Sequence, residues 1–199
     1  MQVQPESMFI PLTPKVLLRL MLQRLRLYHF KNYLEAEFGF TTPVVCLYGL
    51  NGCGKTNLLD AIYLLCFTRS YFHTQDGLLR TDGEKGMRVD GILTDDRPHE
   101  IAGIWREDGR KSFQCDGQAY ERFSDHLGRF PAVFVSPDDT RLISDGSEGR
   151  RQFLDTMISQ TDKHYLTELI QYTRILKQRN EWLKQYTREA IHDYTLLDI

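Results

Sequence analysis

The sequence predicts a mixed α/β fold that continues into a helical arm, and three observations carry this. The apolar run Val44-Val45-Cys46-Leu47-Tyr48 passes directly into a glycine-rich loop. The residues after that loop bear apolar side chains at helical spacing, and from Arg150 onward the pattern is helical throughout.

The elements follow in order. Residues 1–15 contain Pro5, Pro11 and Pro14 with little periodicity, so 1–20 reads as an irregular extension, with the fold beginning near Val16 or Met21. Leu25 and Leu27 alternate with Arg24 and Arg26, and Leu34, Ala36 and Phe38 with Glu35 and Glu37, the period of two that marks strands, joined by a turn over 29–33. The run 44–48 is short and continuously apolar, as expected of a strand buried on both faces in a parallel sheet. Leu58, Ile62, Leu65 and Cys66 then form the stripe of a helix that packs on a sheet. Segments 89–93 and 101–105 read as antiparallel strands, followed by a hairpin whose tight turn is Asp116-Gly117. A further apolar run, Ala132-Val133-Phe134-Val135, ends in Ser-Pro-Asp-Asp. Beyond it, Phe153, Leu154, Met157 and Ile158, then Leu166, Leu169, Ile170, Leu176 and Leu183, have helical spacing. The expected organisation is an extension over 1–20, a core lobe over 21–148, and the start of a helical arm over 149–199.

Composition narrows the function classes. With 199 residues, 41% hydrophobic and 26% charged, the chain has the make-up of a folded soluble protein and not of a disordered one. The early apolar run Val16-Leu17-Leu18 is broken by Arg19, which excludes a signal peptide or membrane span there. Cys46, Cys53, Cys66 and Cys115 have neither zinc-ligand nor redox CxxC spacing, and the six histidines show no metal-ligand pattern. A reducing, cytoplasmic setting is expected. The formal charge of −2 conceals a basic segment over 1–73 (7 basic, 4 acidic) and an acidic one over 74–148 (10 basic, 16 acidic). Any polyanion-binding face must therefore be local.

The chemistry is concentrated in Gly49-Leu50-Asn51-Gly52-Cys53-Gly54-Lys55-Thr56, which matches the GxxxxGK[ST] phosphate loop. The glycines let the chain wrap closely round a phosphate with its N–H groups inward. The helix opening at Lys55 adds its free N–H groups and the positive end of its dipole. Lys55 is the expected catalytic cation on the β- and γ-phosphates, and the Thr56 hydroxyl the expected Mg²⁺ ligand. Cys53 reads as a small residue fitted to the loop, with a reactive thiol at a helix N-terminus as the alternative. A hydrolase also needs an acid at the end of a second apolar strand. Asp138 and Asp139 are the candidates, although Ser136-Pro137 displaces them from the strand end. Ile143-Ser144-Asp145-Gly146-Ser147 is superficially similar to the ABC signature but reads as a loop.

The residues around the loop extend the pattern. Leu25-Arg26-Leu27-Tyr28-His29-Phe30-Lys31-Asn32-Tyr33, the loop itself and Asn57-Leu58-Leu59-Asp60-Ala61-Ile62-Tyr63 together resemble the N-terminal half of the RecF family. Ser136-Pro137-Asp138-Asp139 is similar to that family's SPED stretch, Arg150-Arg151-Gln152-Phe153-Leu154-Asp155 to its RRxFLD and Leu176-Lys177-Gln178-Arg179-Asn180 to its LKQRN. The resemblance runs from about Met21 to Lys184. It implies a P-loop ATPase head of the ABC/SMC type, a mixed sheet with a phosphate-loop helix, plus the start of a helical arm. It also implies an ATP-binding DNA replication, repair and recombination factor that dimerises around ATP, binds DNA at single-strand gaps, and works with RecO- and RecR-like mediators to load a recombinase. The cofactors implied are ATP and Mg²⁺. The implied nucleotide-binding residues are Gly49, Leu50, Asn51, Gly52, Cys53, Gly54, Lys55, Thr56 and Asn57, with Lys31, Asn32 and Tyr33 of the turn near the base or phosphates. Asp replaces the family's Glu in the SPED-like stretch, which shortens its reach to metal or water. The family's signature motif and Asp-ending strand come later than Ile199, so this chain is expected to bind nucleotide weakly and not to hydrolyse it.

Lys163, Arg174, Lys177, Arg179, Lys184 and Arg188 punctuate the last helices among Tyr165, Tyr172, Trp182 and Tyr186. They form either a phosphate-contacting arm or a solvated face over an aromatic core. Two other functions share the loop. A P-loop small-molecule kinase would need an arginine-bearing lid, and an OLD-type nuclease head should lack the RRxFLD-like and LKQRN segments.

Overall fold

The computed structural model describes residues 20–140, 142 and 146–189, with side chains described as far as Tyr186. The extension expected over 1–20 lies, apart from Leu20, outside the described residues, as does most of the signature-like segment at 143–145. The chain divides into two compact units at Ala132/Val133, some sixteen residues before the boundary expected at 148.

The first unit is built on a six-stranded sheet in the order β2-β1-β3-β4-β5-β6, with every neighbouring pair antiparallel. β1 (Met21–Phe30) and β2 (Tyr33–Gly39) form the first hairpin, with Phe30 opposite Tyr33 and only Lys31 and Asn32 in the turn. β3 (Met87–Thr94), β4 (Pro98–Trp105), β5 (Lys111–Cys115) and β6 (Gln118–Ala119) complete the sheet. The β5–β6 turn is made by Asp116 and Gly117 with φ of 53° and 78°, the two positive values such a turn requires.

Alternation sends Leu25, Leu27, Val89, Leu93, Ile101 and Phe113 to one face, where all are buried. On that face lies α1 (Lys55–Phe67), which buries Ala61, Leu64 and Leu65. Gly91 marks the closest approach, since a Cβ there would overlap Leu65 Cδ1. His126 ties the end of the core to the helix through its Nε2 and the Leu65 carbonyl oxygen, at 2.6 Å.

The expected buried strand at 44–48 is corrected by the structure. Among the described residues the segment joins no ladder, and Val44 and Tyr48 are 86% and 91% exposed. An apolar run becomes a strand only when another strand meets its backbone donors and acceptors, and none does so here. The run 132–135 likewise joins no ladder, and Val135 is 77% exposed.

In the second unit, α2 (Ser147–Thr161) and α3 (Lys163–Glu189) form a helical hairpin. Asp162 makes the corner, and its Oδ1 accepts the N–H groups of His164 and Tyr165 at 2.8 and 3.0 Å, capping α3. Tyr165 closes the hairpin by donating its hydroxyl to Asp155.

Candidate nucleotide site

The loop between Gly49 and α1 depends on backbone angles that favour glycine. Gly49, Gly52 and Gly54 have φ of 147°, 84° and 104°. Gly54 serves as the N-cap of α1 without a side-chain cap, and the first intrahelical bond is Leu58 N–H to the Gly54 carbonyl at 2.9 Å. The amides of Lys55, Thr56 and Asn57 therefore precede the hydrogen-bonded ladder and lie at the positive end of a 13-residue helix. The Lys55 ammonium folds back across the loop, donating to the carbonyl oxygens of Gly49 (2.9 Å) and Leu50 (2.7 Å), with Cys53 Sγ 3.8 Å away. Leu50, Asn51, Cys53 and Thr56 are exposed. Uncapped amides, a lysine and an exposed hydroxyl suit a polyphosphate with its divalent cation.

The β1–β2 turn braces this loop. Asn32 Nδ2 donates to the Cys53 carbonyl at 3.4 Å, Asn57 Nδ2 donates to Asn32 Oδ1 at 2.7 Å, and the Tyr33 hydroxyl donates to the Gly54 carbonyl at 3.1 Å. Partial burial raises the Tyr33 phenol above its ordinary value, so it remains a donor at neutral pH. The contact is tight, because a Cβ on Gly54 would stand 2.6 Å from Asn32 Nδ2 and 2.7 Å from the Tyr33 hydroxyl.

Lys31, expected near the base or phosphates, directs its ammonium to a carboxylate of α1. Its Nζ lies 2.6 Å from Asp60 Oδ2, with the two side chains 9% and 0% exposed. The reason is local. Lys31 takes a left-handed φ of 51°, and its ammonium meets a carboxylate carried on α1, four residues after Thr56. Asp60 and Ser70 were not singled out as site residues from the sequence. The available signal was a lone acid in the middle of the apolar helix run Leu58-Leu59-Asp60-Ala61-Ile62.

Of the two candidate metal acids, Asp139 is engaged within its own segment. Asp139 Oδ2 accepts the Ser136 N–H, and the Asp139 N–H returns to the Ser136 carbonyl at 3.0 Å. On α3, every residue from Gln171 to Glu181 is exposed, Arg174, Lys177 and Arg179 among them. Among the described residues no helix is long and apolar enough to cross a membrane.

Comparison with known proteins gives a consistent result. Residues 24–192 match the AAA domain family. The chain is similar to the DNA replication and repair protein RecF of Flavobacterium johnsoniae, 41% identical over 179 residues, covering 89% of this chain and 50% of that relative. For the RecF of Cytophaga hutchinsonii the identity is 42% over 178 residues, covering 89% and 47%. The chain thus spans about half the length of the curated relatives it matches. Among solved structures, the recombination mediator protein RecF with ATP, of the RecFOR pathway, superposes with a TM-score of 0.80 at 31% identity, over 88% of this chain and 48% of that one. An SMC ATPase structure shares the fold, with a TM-score of 0.55 at 22% identity over 68% of this chain and 98% of that one.

Proposed function

From the premise that this chain belongs to the RecF family of AAA-domain proteins, we propose that residues 49–57 bind ATP with Mg²⁺. The proposed setting is DNA replication and repair. The observation that carries this is the uncapped N-terminus of α1 set behind three left-handed glycines and braced by the β1–β2 turn. Lys55 would leave the Gly49 and Leu50 carbonyls for the β- and γ-phosphates. The loop amides would cradle the α- and β-phosphates, and Thr56 would supply a hydroxyl ligand to the cation. Bound Mg²⁺ would contribute charge neutralisation between the terminal phosphates.

This chain by itself is proposed to bind ATP and not to turn it over. The support is that the acid-ending apolar strand a hydrolase needs is not formed among the described residues: the run 132–135 joins no ladder, and Asp139 is held in its own turn. The exposed basic residues of α3, Arg174, Lys177, Arg179 and Lys184, support the proposal that the arm contacts DNA phosphates. Action at single-strand gaps, a dimer closed by ATP and RecO- and RecR-like partners belong to the same proposal. The kinase and OLD-type alternatives have no comparable support.

The test is equilibrium binding of a fluorescent ATP analogue with and without Mg²⁺. The chain should bind, and Lys55→Ala should weaken binding by about tenfold or more, the worth of a charge-assisted contact. Equal binding by both proteins would refute the assignment. For DNA, affinity should fall by orders of magnitude between about 50 and 200 mM salt.

A further inference from the structure

Lys31 and Asp60 form a buried ion pair one helical turn from Thr56, at the junction of three segments. Asp60 Oδ2 accepts both the Lys31 ammonium (2.6 Å) and the Ser70 hydroxyl (2.7 Å), and Oδ1 accepts the Tyr71 N–H at 2.7 Å. Ser70 Oγ in turn accepts the N–H groups of Phe72 and His73, each at 3.1 Å. The Lys31 ammonium lies 5.7 Å from the Phe30 ring centroid and 5.4 Å from that of Phe72, so aromatic faces flank the charge. The backbone of the turn is secured separately. Lys31 N–H donates to the Leu79 carbonyl at 2.7 Å, and Thr81 N–H to the His29 carbonyl at 2.8 Å.

A left-handed lysine is costly, and a buried charge more so, unless the surroundings hold both. Here they are held so that the next two residues, Asn32 and Tyr33, meet the end of the phosphate loop. We propose that Lys31 and Asp60 are positioning residues for the phosphate loop. Their ion pair locks the β1–β2 turn onto α1, so that Asn32 and Tyr33 fix Cys53 and Gly54, and it docks segment 70–73 on the same helix. Neither residue touches the nucleotide. The inference rests on the proposal that residues 49–57 bind ATP, and its test separates the two.

The variants are Lys31→Met/Asp60→Asn, which leaves no unpaired buried charge and keeps an acceptor for Tyr71, and Lys31→Arg, which keeps the cation. The measurements are affinity for a fluorescent ATP analogue well below the melting temperature and amide hydrogen exchange without nucleotide. The double variant should fold, bind about tenfold more weakly, and exchange several-fold faster over 50–58 with 87–105 unchanged, as expected for coupling carried through packed contacts. Lys31→Arg should restore affinity and protection. A purely structural role would lower the melting temperature, leaving the affinity of the folded protein and the relative protection of 50–58 unchanged. That outcome overturns the proposal while the nucleotide assignment stands. If the unsubstituted chain fails to bind ATP but the double variant still deprotects 50–58, the nucleotide assignment fails and the positioning role survives. If Lys31→Met/Asp60→Asn does not fold, Lys31→Gln carries the same comparison, since it keeps a donor beside Asp60, whose carboxylate still accepts from Ser70 and Tyr71.

Discussion

Asn57 donates its side-chain amide to Asn32 Oδ1 at 2.7 Å, joining the first turn of the phosphate-loop helix to a hairpin turn 25 residues earlier. Asn32 uses its other amide atom, Nδ2, on the Cys53 carbonyl. One side chain therefore spans the loop and the helix it enters. Asn32→Ala and Asn57→Ala should each weaken ATP binding, by about 1 kcal/mol for a lost hydrogen bond of this kind. In the double variant the losses should fall short of additive, because both remove the same bond. Binding titrations on the four proteins measure that coupling, and strict additivity would show that the bond does not act on the site.

Gly54 combines a left-handed φ of 104° with the closest side-chain approach in the loop. Gly54→Ala should lower stability by about 1–3 kcal/mol, from backbone strain together with displacement of Asn32 and Tyr33. Gly52 has a similar φ of 84° but open space around its Cβ position, so Gly52→Ala should cost less. Thermal melts of the two variants check the order.

The difference between these glycines marks how far the sequence could be read. The loop, α1 and the Asp116-Gly117 turn were legible because local spacing and residue type dictate them. The fate of Lys31 was not, since a flexible cation beside a phosphate loop suits a phosphate or a carboxylate equally well, and Asp60 declares its partner only in three dimensions. Residues 44–48 were misread for the complementary reason. An apolar run indicates suitability for burial, but the ladder that would make it a strand is contributed by other segments, and no described residue contributes it.

A pH dependence follows from the β4–β5 edge. Asp116 accepts His99 Nδ1–H at 2.8 Å and the Glu100 N–H at 2.9 Å, and these bonds hold its carboxyl below the ordinary aspartate value of 3.8. A depressed folded-state value means that the stabilisation is fully present above the unfolded value and is lost as pH falls through the folded one. The chain should therefore lose stability on acidification below about pH 4 more steeply than Asp116→Asn, whose curve lacks this contribution. Parallel slopes for the two proteins in denaturant titrations between about pH 2 and 5 would remove Asp116 from the account.

The cysteines report on the loop directly. Cys46 and Cys53 are exposed, whereas Cys66 and Cys115 are buried. Burial pushes the Cys66 thiol up to about 12 and raises Cys115 as well, so neither supplies thiolate at neutral pH. Iodoacetamide should accordingly label Cys46 and Cys53 in the native chain and reach the other two only on unfolding. Cys53 Sγ lies 3.8 Å from the Lys55 ammonium, which ATP is proposed to draw away while covering the loop. Saturating MgATP should then slow alkylation of Cys53 several-fold and leave Cys46, three residues before the loop, unaffected, the protection scaling with site occupancy. Peptide mapping resolves the two rates. Equal slowing at both cysteines would indicate a general tightening of the chain, whereas protection confined to Cys53 would place the nucleotide at the loop.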